Sequence, residues 1–249
     1  MTWLLDLDGV VWLSEEPIEG SPEAVAQLRD RGERVAFLTN NSSREVGDVV
    51  SMLEGMGIEA SPEEVITSAL AGAALVEPGE KVLVCAGPGV DEALHERGAE
   101  TVRDGEADAV MIGWHRDFDF ERLTAAVRAV MGGARLLATN EDVTFPSPDG
   151  PVPGAGSILA AVSAATGAEA TVAGKPHEPV AELIKERFGD IETLVGDRPS
   201  TDGLLAKRLG SRFLLALSGV TKEEDLPVEP EPDEVEADLA AHVKSQMEG

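Results

Sequence analysis

A single cysteine, Cys85, stands among the 249 residues, so the chain can close no internal disulfide and build no zinc site from several cysteines. Lysine is nearly as scarce, with six copies. Lysine and arginine together number 20 against 47 aspartates and glutamates, a formal net charge of −27. That balance speaks against a general nucleic-acid binder and against adhesion to an anionic membrane. No apolar run approaches the ~18 residues of a membrane helix. The opening Trp3-Leu4-Leu5-Asp6 has neither the basic start nor the apolar stretch of a signal peptide, so a cytoplasmic location is the expectation. The acid excess has two readings that composition leaves open. One is a surface adapted to concentrated salt, where counterions screen self-repulsion; the other is an ordinary acidic surface kept soluble by its charge. What the chain does have is apolar residues, 43% of the total, enough for a proper core in one large domain or two small ones.

Short, β-rich, almost continuously apolar runs recur at Trp3–Leu7, Arg34–Leu38, Lys81–Ala86, Ala107–Ile112, Thr193–Val195 and Arg212–Leu217. Strands covered on both faces have this character. Helical signals lie between them: Ser21-Pro22-Glu23 as a cap with proline at the first turn, Ser42-Ser43-Arg44-Glu45 as a capping box, and Ser61-Pro62-Glu63-Glu64 as another start. The alternation predicts a parallel sheet between helical layers. Glu77-Pro78-Gly79-Glu80 is a turn-rich break, and a second α/β set runs from Lys81 to about Gly167, interrupted by the Pro/Gly-rich loop Phe145–Gly154. The acidic, Pro-rich stretch Glu223–Glu236 is expected on the surface, followed by a short helix over Leu239–Val243.

Chemistry-bearing residues gather at the ends of these runs. Asp6-Leu7-Asp8-Gly9 closes the first, and residues two apart on a strand share a face, so both carboxylates can leave the sheet edge together. Close carboxylates call for a cation or a proton between them, and a hard divalent cation prefers such oxygens. A calcium loop starting at Asp6 is excluded, because Val11 and Pro17 occupy its glycine and glutamate positions. Thr39-Asn40-Asn41-Ser42-Ser43 supplies more anion donors than a helix cap requires. Lys175 lies between Gly174 and Pro176, but Glu169 and Pro176 rule out a P-loop. Asp197 and Asp202 end another strand. Adjacent tips of a parallel sheet converge, so the set points to a metal–phosphate site. The histidines at 95, 115, 177 and 242 are expected at the surface or at caps; Cys85 is expected as an inert buried thiol, and Trp3, Trp12 and Trp114 as packing residues.

These segments, in this order, resemble the haloacid dehalogenase superfamily, and within it the class IIA phosphatases of the NagD-like and 4-nitrophenylphosphatase-like group. Asp6-Leu7-Asp8-Gly9-Val10, Leu38-Thr39-Asn40-Asn41-Ser42-Ser43-Arg44, Gly174-Lys175-Pro176, and Gly196-Asp197-Arg198 with Thr201-Asp202 match its four motifs. Ile66-Thr67-Ser68-Ala69, Ala138-Thr139-Asn140 with Asp142, and Pro153-Gly154-Ala155-Gly156 match phrases of its cap region. The resemblance implies a Rossmann-like, doubly wound parallel-sheet core at 1–80 and 170–249, with an inserted C2-type α/β cap at 81–169. It implies an Mg²⁺-dependent phosphomonoester hydrolase in which Asp6 is the nucleophile and Asp8 the acid and then the base. Asp6, the Asp8 carbonyl and Asp197 would hold Mg²⁺, with Asp202 and Asn41 in support. Thr39, the Asn40 N–H and Lys175 would hold the phosphoryl oxygens. The fourth motif departs from the group's common pattern at Pro199, Ser200 and Gly203, which puts the loop geometry there in question.

Within the superfamily, Asp8 favours phosphate esters over dehalogenation, since an alkoxide leaving group needs a proton. The substrate implied is a small phosphorylated metabolite, of the sugar phosphate or nucleoside monophosphate class, with 4-nitrophenyl phosphate as an artificial one. Asn140, Asp142 and Phe145 are the candidates for contact with the leaving group. Members of the group often associate through the cap, which leaves a homodimer open. The alternative is a non-catalytic protein that keeps the fold and binds Mg²⁺ or a phosphorylated ligand.

Overall fold

A computed structural model describes residues 1–14, 16–145 and 150–248, without the side chains of 247 and 248. The chain divides into two compact units, one of residues 1–39, 47–66 and 181–249, the other of residues 40–46 and 67–180.

The first unit is built on a six-stranded sheet in the order Glu234–Glu236, Arg212–Ala216, Thr193–Gly196, Thr2–Asp6, Arg34–Thr39, Val65–Thr67. Thr2–Asp6 is buried at every position and pairs in parallel on both sides, Leu4 lying level with Leu194 and Ala36. Strands open to helices on both faces gain from apolar side chains in both directions, which is why this one lacks alternation. After Thr2–Asp6 the chain builds outward on one side, then returns to build the other. That reversal places a crevice at the carboxyl ends of the central strands, where open α/β sheets bind ligands.

In the second unit, five strands pair in parallel in the order Thr171–Val172, Arg135–Ala138, Ala109–Ile112, Lys81–Cys85, Glu100–Val102. Period-two alternation divides their side chains. Val82, Val84 and Met111 join a cluster with Ala69 and Ala73 of the helix Ser68–Ala73 and Val90 and Leu94 of Pro88–Arg97. Leu83, Cys85, Val110 and Ile112 face Ala126 and Ala129 of Phe120–Met131 and Ile158 and Val162 of Ala155–Thr166. The shared alanine packing places Ser68–Ala73 in this unit, whose longer segment runs from Thr67 to Val180.

All six strands expected from sequence form within about two residues of their predicted bounds. Local start signals fared less well. Ser21 lies inside the helix Ser21–Asp30, which Gly20 caps, and its hydroxyl donates instead to the Val11 carbonyl at 2.7 Å. The helix Val46–Gly55 takes its cap from Glu92, whose carboxylate accepts the Val46 N–H at 2.8 Å, while Asn41 Oδ1 accepts the Ser43 N–H and hydroxyl at 3.0 and 2.7 Å. Ser61–Glu64 does form a capping box, but on a single 3₁₀ turn that runs straight into Val65–Thr67. The Glu223–Glu236 stretch lies at the surface as expected, and its end, Glu234–Glu236, adds an edge strand to the first sheet. The terminal helix runs Leu239–Glu248. Of the loop Phe145–Gly154, residues 146–149 lie outside the described residues; its ends form a short antiparallel pair, Thr144–Phe145 with Val152–Pro153. Among the described residues, no helix is long and apolar enough to cross a membrane.

Two of the four histidines are buried, against the sequence expectation. His115 Nδ1 lies 3.0 Å from the Gly113 carbonyl. His242 Nε2 lies 2.9 Å from the Leu215 carbonyl, so that nitrogen carries the proton and the buried Nδ1 is left as an unsatisfied acceptor. Burial lowers the pKa of both rings, and the acids around His242, at 236, 234 and 238, only partly oppose it. A histidine held neutral by the fold binds its proton first in the unfolded chain, so its stabilisation is present above the ordinary value of about 6.5 and is lost as pH falls below it. We expect melting temperature to drop between about pH 8 and pH 5.5. In His242→Gln, which keeps a donor for Leu215, the drop should be smaller, and an identical drop would contradict the assignment.

Candidate active site

In the first unit, Asp6, Asp197 and Asp202 are all buried, and each offers a carboxylate oxygen within 4.8 Å of the others. Backbone geometry brings them together. Asp6 ends the central strand, and Asp197 directly follows Gly196, the last residue of the neighbouring strand. Asp202 returns through one π-helical turn, Pro199–Gly203, in which its N–H donates to the Arg198 carbonyl at 2.8 Å and its carboxylate accepts the Arg198 N–H at 3.1 Å. The departure at Pro199, Ser200 and Gly203 therefore still presents both acids.

Glycines make room for this cluster. Gly9 has φ +88°, and a Cβ there would stand 2.4 Å from Asp197 Oδ2. At Gly219 the same oxygen would be 1.9 Å from a Cβ. The loop that begins there holds Asp197 from the other side: Val220 N–H donates to Asp197 Oδ2 at 2.6 Å, and the Ser218 hydroxyl donates to the Gly9 carbonyl at 2.7 Å. None of Ser218, Gly219 and Val220 was singled out in the sequence. Ser-Gly-Val after an apolar strand carries no signal beyond a turn.

Asp8 is half-buried, and both of its oxygens accept hydrogen bonds, Oδ1 from Trp12 Nε1 at 3.0 Å and Oδ2 from the Thr39 hydroxyl at 3.3 Å. Two donors on opposite oxygens fix the plane of a carboxyl group. Trp12 is thus more than a packing residue, while Trp3 is simply buried.

The remaining predicted residues belong to the second unit. Lys175 is buried, and its N–H donates to Asn40 Oδ1 at 2.9 Å. Asn140 is buried too, its amide donating to the Asn40 carbonyl at 2.7 Å and its Oδ1 accepting the Asp142 N–H at 3.2 Å. Asp142 accepts from Asn40 Nδ2 at 3.0 Å. Asn140 and Asp142 therefore grip Asn40. Phe145 is outside that group and stacks on Trp114 with ring centroids 4.3 Å apart. Asn41 serves its local turn. Cys85 is buried as expected, and burial pushes its thiol up to about 12, far from thiolate chemistry. A cavity of about 1400 Å³ lined by Lys81, Arg103, Phe120 and Arg122 also borders Cys85 but holds none of the predicted catalytic, metal or phosphate residues.

Sequence models of two families match the chain, one described as haloacid dehalogenase-like hydrolase over residues 3–100 and a related hydrolase model over residues 172–242. An acid sugar phosphatase of Staphylococcus saprophyticus is 33% identical over 232 residues, 90% of this chain and 89% of that protein. The chain belongs to the haloacid dehalogenase-like hydrolases. Within that family it falls in the NagD-like, class IIA group. A p-nitrophenyl phosphatase from Archaeoglobus fulgidus superposes with a TM-score of 0.91 at 33% identity, covering 98% of both chains. A glycerol phosphate phosphatase from Mycobacterium tuberculosis, solved with calcium, superposes with a TM-score of 0.90 at 33% identity, covering 96% of this chain and 74% of that one.

The donor set of this dehalogenase-family chain fits a divalent cation. Three buried carboxylates are hard oxygen ligands, and gathering them without a counter-charge is costly. Any ligand that binds only the folded state raises the melting temperature. MgCl₂ should therefore raise that of the wild-type protein, and Gly219→Ala, whose Cβ must displace Asp197, should abolish the rise. An equal rise in the variant would show that the cation binds elsewhere.

Proposed function

We propose that the chain is a cytoplasmic, Mg²⁺-dependent phosphomonoester hydrolase that works through an aspartyl-phosphate on Asp6. The observation that carries this reading is the convergence of the buried Asp6, Asp197 and Asp202 beside an Asp8 oriented by Thr39 and Trp12. Asp6 sits at the strand tip, where its oxygen attacks phosphorus as the bond to the ester oxygen breaks. Asp8 gives its proton to the departing alkoxide. It then takes a proton from water, whose oxygen attacks the phosphorus of the aspartyl-phosphate, freeing Asp6 and inorganic phosphate. The same group thus acts first as acid and then as base. We assign Thr39, the Asn40 N–H and Lys175 to the phosphoryl oxygens. Asp6, the Asp8 carbonyl and Asp197 would hold Mg²⁺, with Asp202 in support. Bound there, the ion supplies positive charge against the phosphoryl oxygens.

The substrate is a small phosphorylated metabolite of the sugar phosphate or nucleoside monophosphate class. Relatives named as an acid sugar phosphatase and a glycerol phosphate phosphatase support the sugar phosphate side of that range. The resemblance also supports association of two copies through the second unit. In a 4-nitrophenyl phosphate assay, Asp6→Asn should lower turnover about 10³-fold or more. Chelation should stop the wild-type enzyme, and added Mg²⁺ should restore it. Equal turnover in wild type and variant, or none in either, would contradict the hydrolase and favour a protein that only binds its ligand.

A further inference from the structure

Lys175 owes its place to contacts that hydrolysis itself does not call for. The Asn40 carboxamide meets both main-chain polar groups of Lys175: Oδ1 accepts the Lys175 N–H at 2.9 Å, and Nδ2 donates to the Lys175 carbonyl at 3.3 Å. A donor on one side and an acceptor on the other leave the amide one orientation. That orientation turns Nδ2 also to Asp142 Oδ2, at 3.0 Å. The Asn40 main chain is held as firmly, its carbonyl accepting from the Ser68 hydroxyl at 2.6 Å and from Asn140 Nδ2 at 2.7 Å. Gly174 keeps the approach open, since a Cβ there would lie 2.6 Å from both Asn40 Oδ1 and the Thr139 carbonyl.

We propose that Asn40 is a positioning residue whose side chain, oriented by Asp142, fixes the main chain of Lys175 and so aims its ammonium at the transferring phosphoryl group. This rests on the phosphatase reading, in which Lys175 neutralises that group. It gives Asn140 and Asp142 a shared task, preorganising the phosphate site rather than touching the leaving group. A lysine is a point charge on a flexible stem, so its benefit to a charged transition state depends on where that stem is anchored. Asn40→Ala keeps the backbone N–H assigned to the phosphoryl oxygens and removes only the clamp.

A double-mutant cycle separates positioning from general support of the fold. With 4-nitrophenyl phosphate and Mg²⁺, Asn40→Ala should lower kcat about 10- to 100-fold, the range typical of groups that orient a functional residue. In a Lys175→Ala background the same change should cost less than about 3-fold, because the group it aims is gone. Asp142→Ala should follow the same pattern, with Asp142→Asn, which keeps an acceptor for Asn40, recovering most of the activity. Should Asn40→Ala fail to fold, the cycle is run with Asp142→Ala. Near-normal turnover in the single variants, or equal losses with and without Lys175, would overturn the proposal while leaving the hydrolase intact. A wild-type protein without turnover would overturn both.

Discussion

Three carboxylates held within 4.8 Å of one another away from water set the terms for the first unit. At an effective dielectric constant of about 20, like unit charges at that separation repel by about 3 kcal/mol per pair. In a fold that is stable by about 5–15 kcal/mol in total, repulsion of that size has to be offset by groups of opposite charge or by hydrogen-bond donors. Rigid features surround the cluster and keep it assembled. Gly9, with left-handed backbone, and Gly219, whose missing Cβ leaves room for the carboxylate, let main chain close on Asp197, and the π-helical turn Pro199–Gly203 returns Asp202. Each arrangement is costly for an ordinary residue or an ordinary helix, and each serves to bring acids together. A divalent cation bound there would offset the repulsion and would also give an otherwise strongly anionic protein the means to receive a phosphoryl group.

The second unit solves a different problem, the placing of a lysine. Lys175 is buried in a chain short of lysine, and its main chain is held by the Asn40 carboxamide, which the Asp142 carboxylate orients, while the Asn40 main-chain carbonyl is held by an amide and a hydroxyl. Fully satisfied polar networks of this kind define a single geometry, because every alternative leaves a polar group unpaired. The aromatic pair Trp114–Phe145 shares the unit but not the network, and the Arg116 guanidinium lies 5.7 Å from the Trp114 ring centre.

Much of this was legible in the sequence because it depends on periodicity and on residue type at strand ends. Continuous apolar runs mark strands buried on both faces, and Asp6, Asp8, Thr39 and Asp197 stand where such runs stop. Short or polar strands were not legible: Val65–Thr67 hides behind a helix-start signal, and Glu234–Glu236 lies in an acidic stretch whose strand state depends on its neighbour. Long-range partners were equally hidden. Nothing local says that Glu92 caps Val46, that Val220 holds Asp197, or that Asn140 reaches back one hundred residues to Asn40. His242 read as a surface residue because a lone histidine in a short helix after an acidic stretch gives no sign of which face of that helix is buried.

The central claim is that the acid cluster is a cation site. Anomalous diffraction from a crystal soaked in Mn²⁺, a stand-in for Mg²⁺ with a usable signal, tests it most directly. One peak per chain is expected in contact with carboxylate oxygens of Asp6 and Asp197, at about the 2.0–2.6 Å of hard-cation coordination. A well-ordered crystal with no peak there, or with its only peaks on exposed acids elsewhere, would contradict the account.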